Sequence, residues 1–220
     1  MILRTVGTGS DGNCYLLQRD NGHYIALDCG MQWKQVLVGC DFQPTLIDFA
    51  LCSHEHRDHN RYVRDFEKNL IPVYGTWNLE EKKVRSAGDV KFVPFELPHD
   101  VKCYGYILSV DGEKVIYMTD YGYCRYTFLS HGIQHWIVAC NHIEPPARDE
   151  FKFKHVIEGH SDLRTVKNLL RANKADTMKN VVLCHYSEGV NTDRMIQEVY
   201  DELGGMVNVC IARKGEAISL

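Results

Sequence analysis

The chain has no apolar run approaching the roughly 18–20 residues that span a bilayer. Met1–Val6 turns polar too soon for a secretory leader, so neither a membrane anchor nor export is expected. There is no Cys-x-x-Cys pair, and nine cysteines cannot all pair within one chain. They sit mostly in apolar, strand-like segments such as Phe49-Ala50-Leu51-Cys52 and Val182-Leu183-Cys184, where a reduced thiol packs as a small hydrophobe. A cytoplasmic compartment is the expectation. A basic excess is also missing: the net charge is −4, which excludes sequence-blind coating of a polyanion but leaves a local basic groove open. No Pro/Ser-rich linker, repeat or low-complexity stretch interrupts the chain. One domain over residues 1–220 is expected, with enough apolar sequence for one sizeable core.

What the chain does have is histidine, eleven of them, several beside carboxylates. Their setting is strand-rich. Met1–Val6, Tyr15–Gln18, Tyr24–Asp28 and Asp48–Cys52 read as strands, with Met31–Val38 as a helix before the last of these. Arg61–Leu70 has helical periodicity, with Tyr62, Phe66 and Leu70 on one face. Tyr104–Val110 and Lys114–Met118 form a hairpin around Asp111-Gly112. Gln134–Cys140 and Val181–Cys184 follow as strands, interleaved with helices over Asp162–Ala172, capped by Ser161 or Asp162, and Asn191–Leu203. Val207–Ala212 and Ala217–Leu220 close the chain. Strands first, then alternating helices and strands, suit two sheets covered by helices.

The informative segment is Ser53-His54-Glu55-His56-Arg57-Asp58-His59-Asn60, directly after an apolar strand. Residues two apart on an extended chain point the same way, so His54 and His56 can offer imidazoles to one ion. Asp58 and His59 follow where the chain turns into a helix and can reach a second. Neutral imidazole with carboxylate suits Zn²⁺, Mn²⁺ or Fe²⁺. Further candidates each fall at an apparent strand end: His99 in Leu97-Pro98-His99-Asp100, Asp120 after Tyr117-Met118-Thr119, and His185 after Val182-Leu183-Cys184. By alternation Glu55 and Arg57 point away from the imidazoles and receive no role.

His-x-His-x-Asp-His followed by a lone His, a lone Asp and a final His resembles the metallo-β-lactamase superfamily over essentially the whole chain. The resemblance implies a four-layer αββα sandwich with two divalent metal ions at one edge. Carried over, His54, His56 and His99 would hold one ion, Asp58, His59 and His185 the other, with Asp120 bridging and Asp28 supporting ligands from behind. Gly9-Ser10-Asp11-Gly12-Asn13-Cys14-Tyr15, Pro94-Phe95-Glu96-Leu97-Pro98-His99-Asp100, Asn141-His142, Gly159-His160-Ser161 and His185-Tyr186-Ser187 resemble the YycJ/WalJ-like group, which implies DNA processing with 5′-exonuclease activity. The chain departs from that pattern at Asp11, Ser161-Asp162 and Val190-Asn191, in loops expected to face substrate and so to bear on specificity.

Two ions sharing a water lower its pKa from about 15.7 toward 7, yielding hydroxide at neutral pH for attack on a phosphodiester. Asp120 would orient that water. His160, just before the predicted helix start, is the candidate for phosphate contact or leaving-group protonation. Ser161 and Asn13 are read as further substrate contacts, and His142 as a weaker one. Lys152, Lys154, Arg164, Lys167 and Arg171 are either a phosphate-steering patch or a solvated face. Tyr121, Tyr123 and Tyr126 are either base-stacking or core aromatics. The expected substrate is nucleic acid, DNA first, with a small cyclic phosphodiester, lactone or thioester as the alternative.

Overall fold

The computed structural model describes residues 1–144 and 159–220. The first sheet is built from β1 (Ile2–Gly7), β2 (Cys14–Gln18), β3 (Tyr24–Leu27), β4 (Ile47–Leu51), β5 (Val73–Tyr74) and the C-terminal β13 (Ala217–Ser219), in the order β13-β1-β2-β3-β4-β5. The second contains β6 (Arg85–Ala87), β7 (Val90–Leu97), β8 (Cys103–Val110), β9 (Glu113–Met118), β10 (His135–Ala139), β11 (Asn180–Cys184) and β12 (Asn208–Ile211), ordered β12-β11-β10-β9-β8-β7-β6. Each sheet is mixed. β3, β4 and β5 run parallel at one side of the first sheet, and β9 to β12 run parallel in the second.

Alternation sorts the side chains into layers. In β4, Phe49 and Leu51 join Tyr15, Ile25, Phe92 and Tyr106 between the sheets. Ala50 and Cys52 face outward, into the layer under helices α1 (Trp33–Gly39), α2 (Arg57–Asn60) and α3 (Val63–Lys68), with Val36 and Phe66. In β11, Val182 and Cys184 lie between the sheets. Val181 and Leu183 pack against Val166 and Leu170 of α4 (Leu163–Ala172) and Met195 and Val199 of α5 (Thr192–Glu202). Burial on both faces explains why these strands read as continuous apolar runs. The result is the αββα sandwich. All nine cysteines are free thiols, seven of them buried. Among the described residues no helix is long and apolar enough to cross a membrane.

Both long helices have side-chain caps: α4 has one of the two expected, and α5 has Asn191, read from the sequence as its first residue. Asp162 accepts from the Thr165 amide at 2.7 Å, and Asn191 accepts from that of Arg194 at 3.0 Å. The helix expected over Arg61–Leu70 differs. The chain forms two short helices that break at Tyr62, whose backbone (φ −114°, ψ 17°) leaves the helical region. Leu70, expected to pack inward, is 91% exposed with φ of 62°. The amides of Leu70 and Ile71 close back on the carbonyls of Glu67 and Phe66, a Schellman end that turns Leu70 out and buries Ile71 instead.

Candidate metal centre

Five strand ends and the loop before α4 converge on one edge of the sandwich. Asp28 follows β3, His54 to His59 follow β4, His99 follows β7, Asp120 follows β9 and His185 follows β11. Asp28, Asp120 and His185 all have left-handed backbones, with φ of 62°, 44° and 47°. A side chain that leaves its strand through such a corner is aimed out of the sheet, at a local cost of about 1–3 kcal/mol.

Two sets of ligand atoms form. In the first, His56 Nδ1 lies 3.1 Å from His54 Nε2 and 3.1 Å from His99 Nε2. In the second, His59 Nε2 lies 3.2 Å from Asp58 Oδ2 and 3.2 Å from His185 Nε2. Asp120 Oδ2 belongs to the second set and touches the first, at 2.7 Å from His59, 3.4 Å from His185 and 3.6 Å from His54. Within each set every ligand atom is within 4.8 Å of the others. Nitrogens bound to one tetrahedral ion at about 2.05 Å would stand about 3.3 Å apart. Ring nitrogens facing one another at such spacings, with carboxylate oxygens among them, fit two divalent cations. All seven residues singled out from the sequence are in these two sets.

The surroundings fix the ring orientations. Asp28 is fully buried and takes the Nδ1 proton of His59 at 2.6 Å, which leaves Nε2 for the cleft. The same carboxylate accepts from the Ser53 amide and hydroxyl and from the Tyr117 hydroxyl. Ser53 Oγ also meets His54 Nδ1 at 2.9 Å. Gly30 lets the Asp28 turn press onto α2, since a Cβ there would lie 1.7 Å from the Asp58 carbonyl oxygen.

Electrostatics separate the two sets. Burial pushes His54 down strongly and His99 to about 4, so both rings are neutral at pH 7. Burial alone would also lower His59 and His185. Asp28 and Asp120 around His59, and Asp120 and Asp58 around His185, outweigh it and raise both. Burial would raise Asp58 and Asp120, but hydrogen bonds and charge from His185 and His59 hold both carboxyls below their ordinary range. A cation entering the second set must displace protons, whereas His54 and His99 have none to shed. Metal binding at the second set is therefore expected to weaken more steeply as pH falls from 7.5 to 5.5. Titrating metal into weakly buffered protein with a pH indicator reads this directly. Equal proton release from both sets would contradict it.

His160 stands on the open side, its Nδ1 3.2 Å from Asp120 Oδ1 and its ring near those of His99, His142 and His185. A cavity of about 330 Å³ beside it is lined by Ser10, Asn141, His142, Glu144, His185, Tyr186 and Ser187.

Two expected substrate contacts need correction. Ser161 is fully buried, and its hydroxyl donates to the Ala139 carbonyl at 3.0 Å. Asn13 is fully buried too; its amide bridges the Gly9 backbone to His59 Nε2 and Asp58 Oδ2. Neither side chain lines the open face; both brace the loops that carry the candidate ligands.

Of the basic residues, Lys167 pairs with Glu198 and Arg171 with Glu202, which favours the solvated-face reading. Lys152 and Lys154 lie outside the described residues. The tyrosines divide: Tyr121 is core, Tyr126 donates to Glu81 at 2.7 Å, and Tyr123 is exposed.

Asp100 escaped the sequence reading. Its Oδ1 lies 3.1 Å from His99 Nε2 and 3.4 Å from His56 Nε2, the ring nitrogen of His56 that faces away from the cluster. A carboxylate there holds the proton on Nε2 and keeps Nδ1 available. Its place beside His99 in the sequence was the only signal. Asp100→Asn is expected to weaken metal binding at the first set about 10- to 100-fold, read by competition with a chromogenic chelator. Unchanged affinity would remove Asp100 from the site.

The layered architecture is that of the metallo-β-lactamase fold. No protein-family model matches the chain, and no curated protein matches it by sequence. Solved structures do. The metallo-β-lactamase fold protein YhfI from Bacillus subtilis superposes with a TM-score of 0.76 at 17% identity, covering 99% of this chain and 98% of that one. A diphosphatase from the PhnP family gives 0.70 at 14% identity, over 99% and 96% of the two chains. Human tRNase Z, short form, gives 0.64 at 16%, over 100% and 99%.

Proposed function

We propose that the chain is a dinuclear metal-dependent phosphodiesterase that acts on nucleic acid, a 5′-exonuclease-like enzyme on DNA ends of the YycJ/WalJ-like kind. The observation that carries this is Asp120, whose Oδ2 meets ring nitrogens of both ligand sets while its Oδ1 meets His160. His54, His56 and His99 would hold one divalent ion and Asp58, His59, His185 and Asp120 the other, Zn²⁺ or Mn²⁺ first and Fe²⁺ as an alternative. Bound there, two ions would supply Lewis acidity and bring the pKa of a water from about 15.7 toward 7.

The chain's own groups do the rest. Asp28 and Ser53 hold the imidazoles of His59 and His54 in register through their Nδ1 atoms, so little reorganisation is needed as charge develops. His160 places a proton donor beside Asp120 on the open face, where it can protonate the departing alkoxide. Nine reduced thiols suit a cytoplasmic setting. The segments around Asn13, His99, Asn141, His160 and His185 support the nuclease reading. So does a fold shared with a diphosphatase and with tRNase Z.

The test is end-labelled duplex and single-stranded DNA with Mn²⁺, Zn²⁺ or Fe²⁺. Shortening from the 5′ end supports the reading, and intact DNA under every metal sinks it. A second reading, hydrolysis of a small cyclic phosphodiester, lactone or thioester, is favoured by the 330 Å³ cavity beside His160, a volume typical of small-ligand sites. Turnover of bis-p-nitrophenyl phosphate with DNA left intact would favour the phosphodiester version of that alternative.

A further inference from the structure

The loops after β4 and β5 leave the sheet at the same edge, because these two strands are parallel neighbours. The first carries His54 to His59. The second, Gly75–Asn78, carries Trp77, an exposed aromatic ring (43%) that shares a groove with Glu55 of the first loop. Its indole folds flat against Gly75, where a Cβ would fall 2.5–3.0 Å from three ring carbons. The turn beneath is tied down by Asn78, which accepts from the Gly75 amide and donates to the Val73 carbonyl. Lys102, two residues beyond Asp100, donates to the Thr76 carbonyl at 3.1 Å and joins this loop to the His56 and His99 side of the centre.

Trp77 forms a groove with Glu55, Asn60, Arg61, Arg64 and Glu67. Among the described residues Arg61 and Arg64 have no carboxylate within ion-pair distance, although Glu55 and Glu67 share the groove; Arg61 lies over the Tyr62 ring instead. A groove with as many carboxylates as guanidiniums is a poor track for bare phosphate. A rigid aromatic face ringed by planar donors and acceptors is instead what a nucleobase requires: stacking on one side, hydrogen bonds at its edge.

We propose that this groove is a nucleobase subsite: Trp77 stacks a base of the strand whose phosphodiester lies at the metal centre, while Arg61, Arg64 and Asn60 donate to its edge and Glu55 or Glu67 accept from it. The inference rests on the nucleic-acid reading above and extends it to a stated position on the substrate strand.

The probe is a single-stranded oligodeoxynucleotide. Binding to the metal-loaded protein is expected to quench the tryptophan emission. Trp136 is buried but Trp33 is partly exposed, so the share of the quenching that Trp77→Phe abolishes is the share that reports Trp77. Trp77→Ala should raise the KM for the oligonucleotide about tenfold with kcat moving much less, and Trp77→Phe should restore most of it. Equal KM in wild type and Trp77→Ala, or a loss that falls on kcat alone, overturns the subsite and leaves the phosphodiesterase reading standing. Wild-type protein that neither binds nor cleaves the oligonucleotide overturns both.

Discussion

Asp120→Ala is expected to abolish turnover to within about one part in a thousand of wild type and to reduce the bound metal from two equivalents to one or none. Several kcal/mol of charge stabilisation depend on having both ions in place, and about 4 kcal/mol corresponds to that factor. Among the described residues Asp120 is the one carboxylate whose oxygen meets the cleft-facing nitrogens of both ligand sets. Its loss also removes a charge that raises the pKa of His59 and His185 in the metal-free protein. Asp28 still anchors His59, so the fold should persist. Asp120→Asn preserves the shape and tests the charge alone. Metal content by elemental analysis, beside turnover of a phosphodiester, checks the claim. Retained activity in Asp120→Ala would contradict the bridging role.

His160→Ala should behave differently: two metals retained, and kcat lowered by about 10²- to 10⁴-fold. His160 belongs to neither converging set and meets the centre at Asp120 Oδ1, with its ring beside those of His99 and His185. If it protonates the leaving oxygen, the loss must depend on how badly that oxygen needs a proton. The deficit is expected to be large for a nucleotide alkoxide and under about tenfold for p-nitrophenolate, a much better leaving group. An equal loss for both substrates would make His160 a positioning residue.

The ligands were legible because chemistry and pattern coincide at them. Four strands, of which β4 and β11 are buried on both faces, run out toward a polar residue that reaches the cleft. Asp28 was legible from the resemblance alone, and its buried contacts with His59 and Ser53 supply the reason. Ser161 and Asn13 were misread because a polar residue beside a site looks the same in sequence whether it meets substrate or braces a loop; only enclosure separates the two. Asp100 was hidden for the opposite reason, since one carboxylate after a histidine in a loop has no periodicity to mark it. β5 and β6, of two and three residues, are too short for alternation to show. The break at Tyr62 and the outward turn of Leu70 depend on backbone closure rather than on side-chain pattern.

The centre exists only if residues distant in sequence jointly bind cations, and elemental analysis of the purified, full-length protein tests that most directly. Two equivalents of a divalent transition metal per chain are expected, falling to one or fewer in Asp120→Ala and staying at two in His160→Ala. Wild-type protein that binds no such metal after incubation with Zn²⁺, Mn²⁺ or Fe²⁺ at neutral pH would contradict the account.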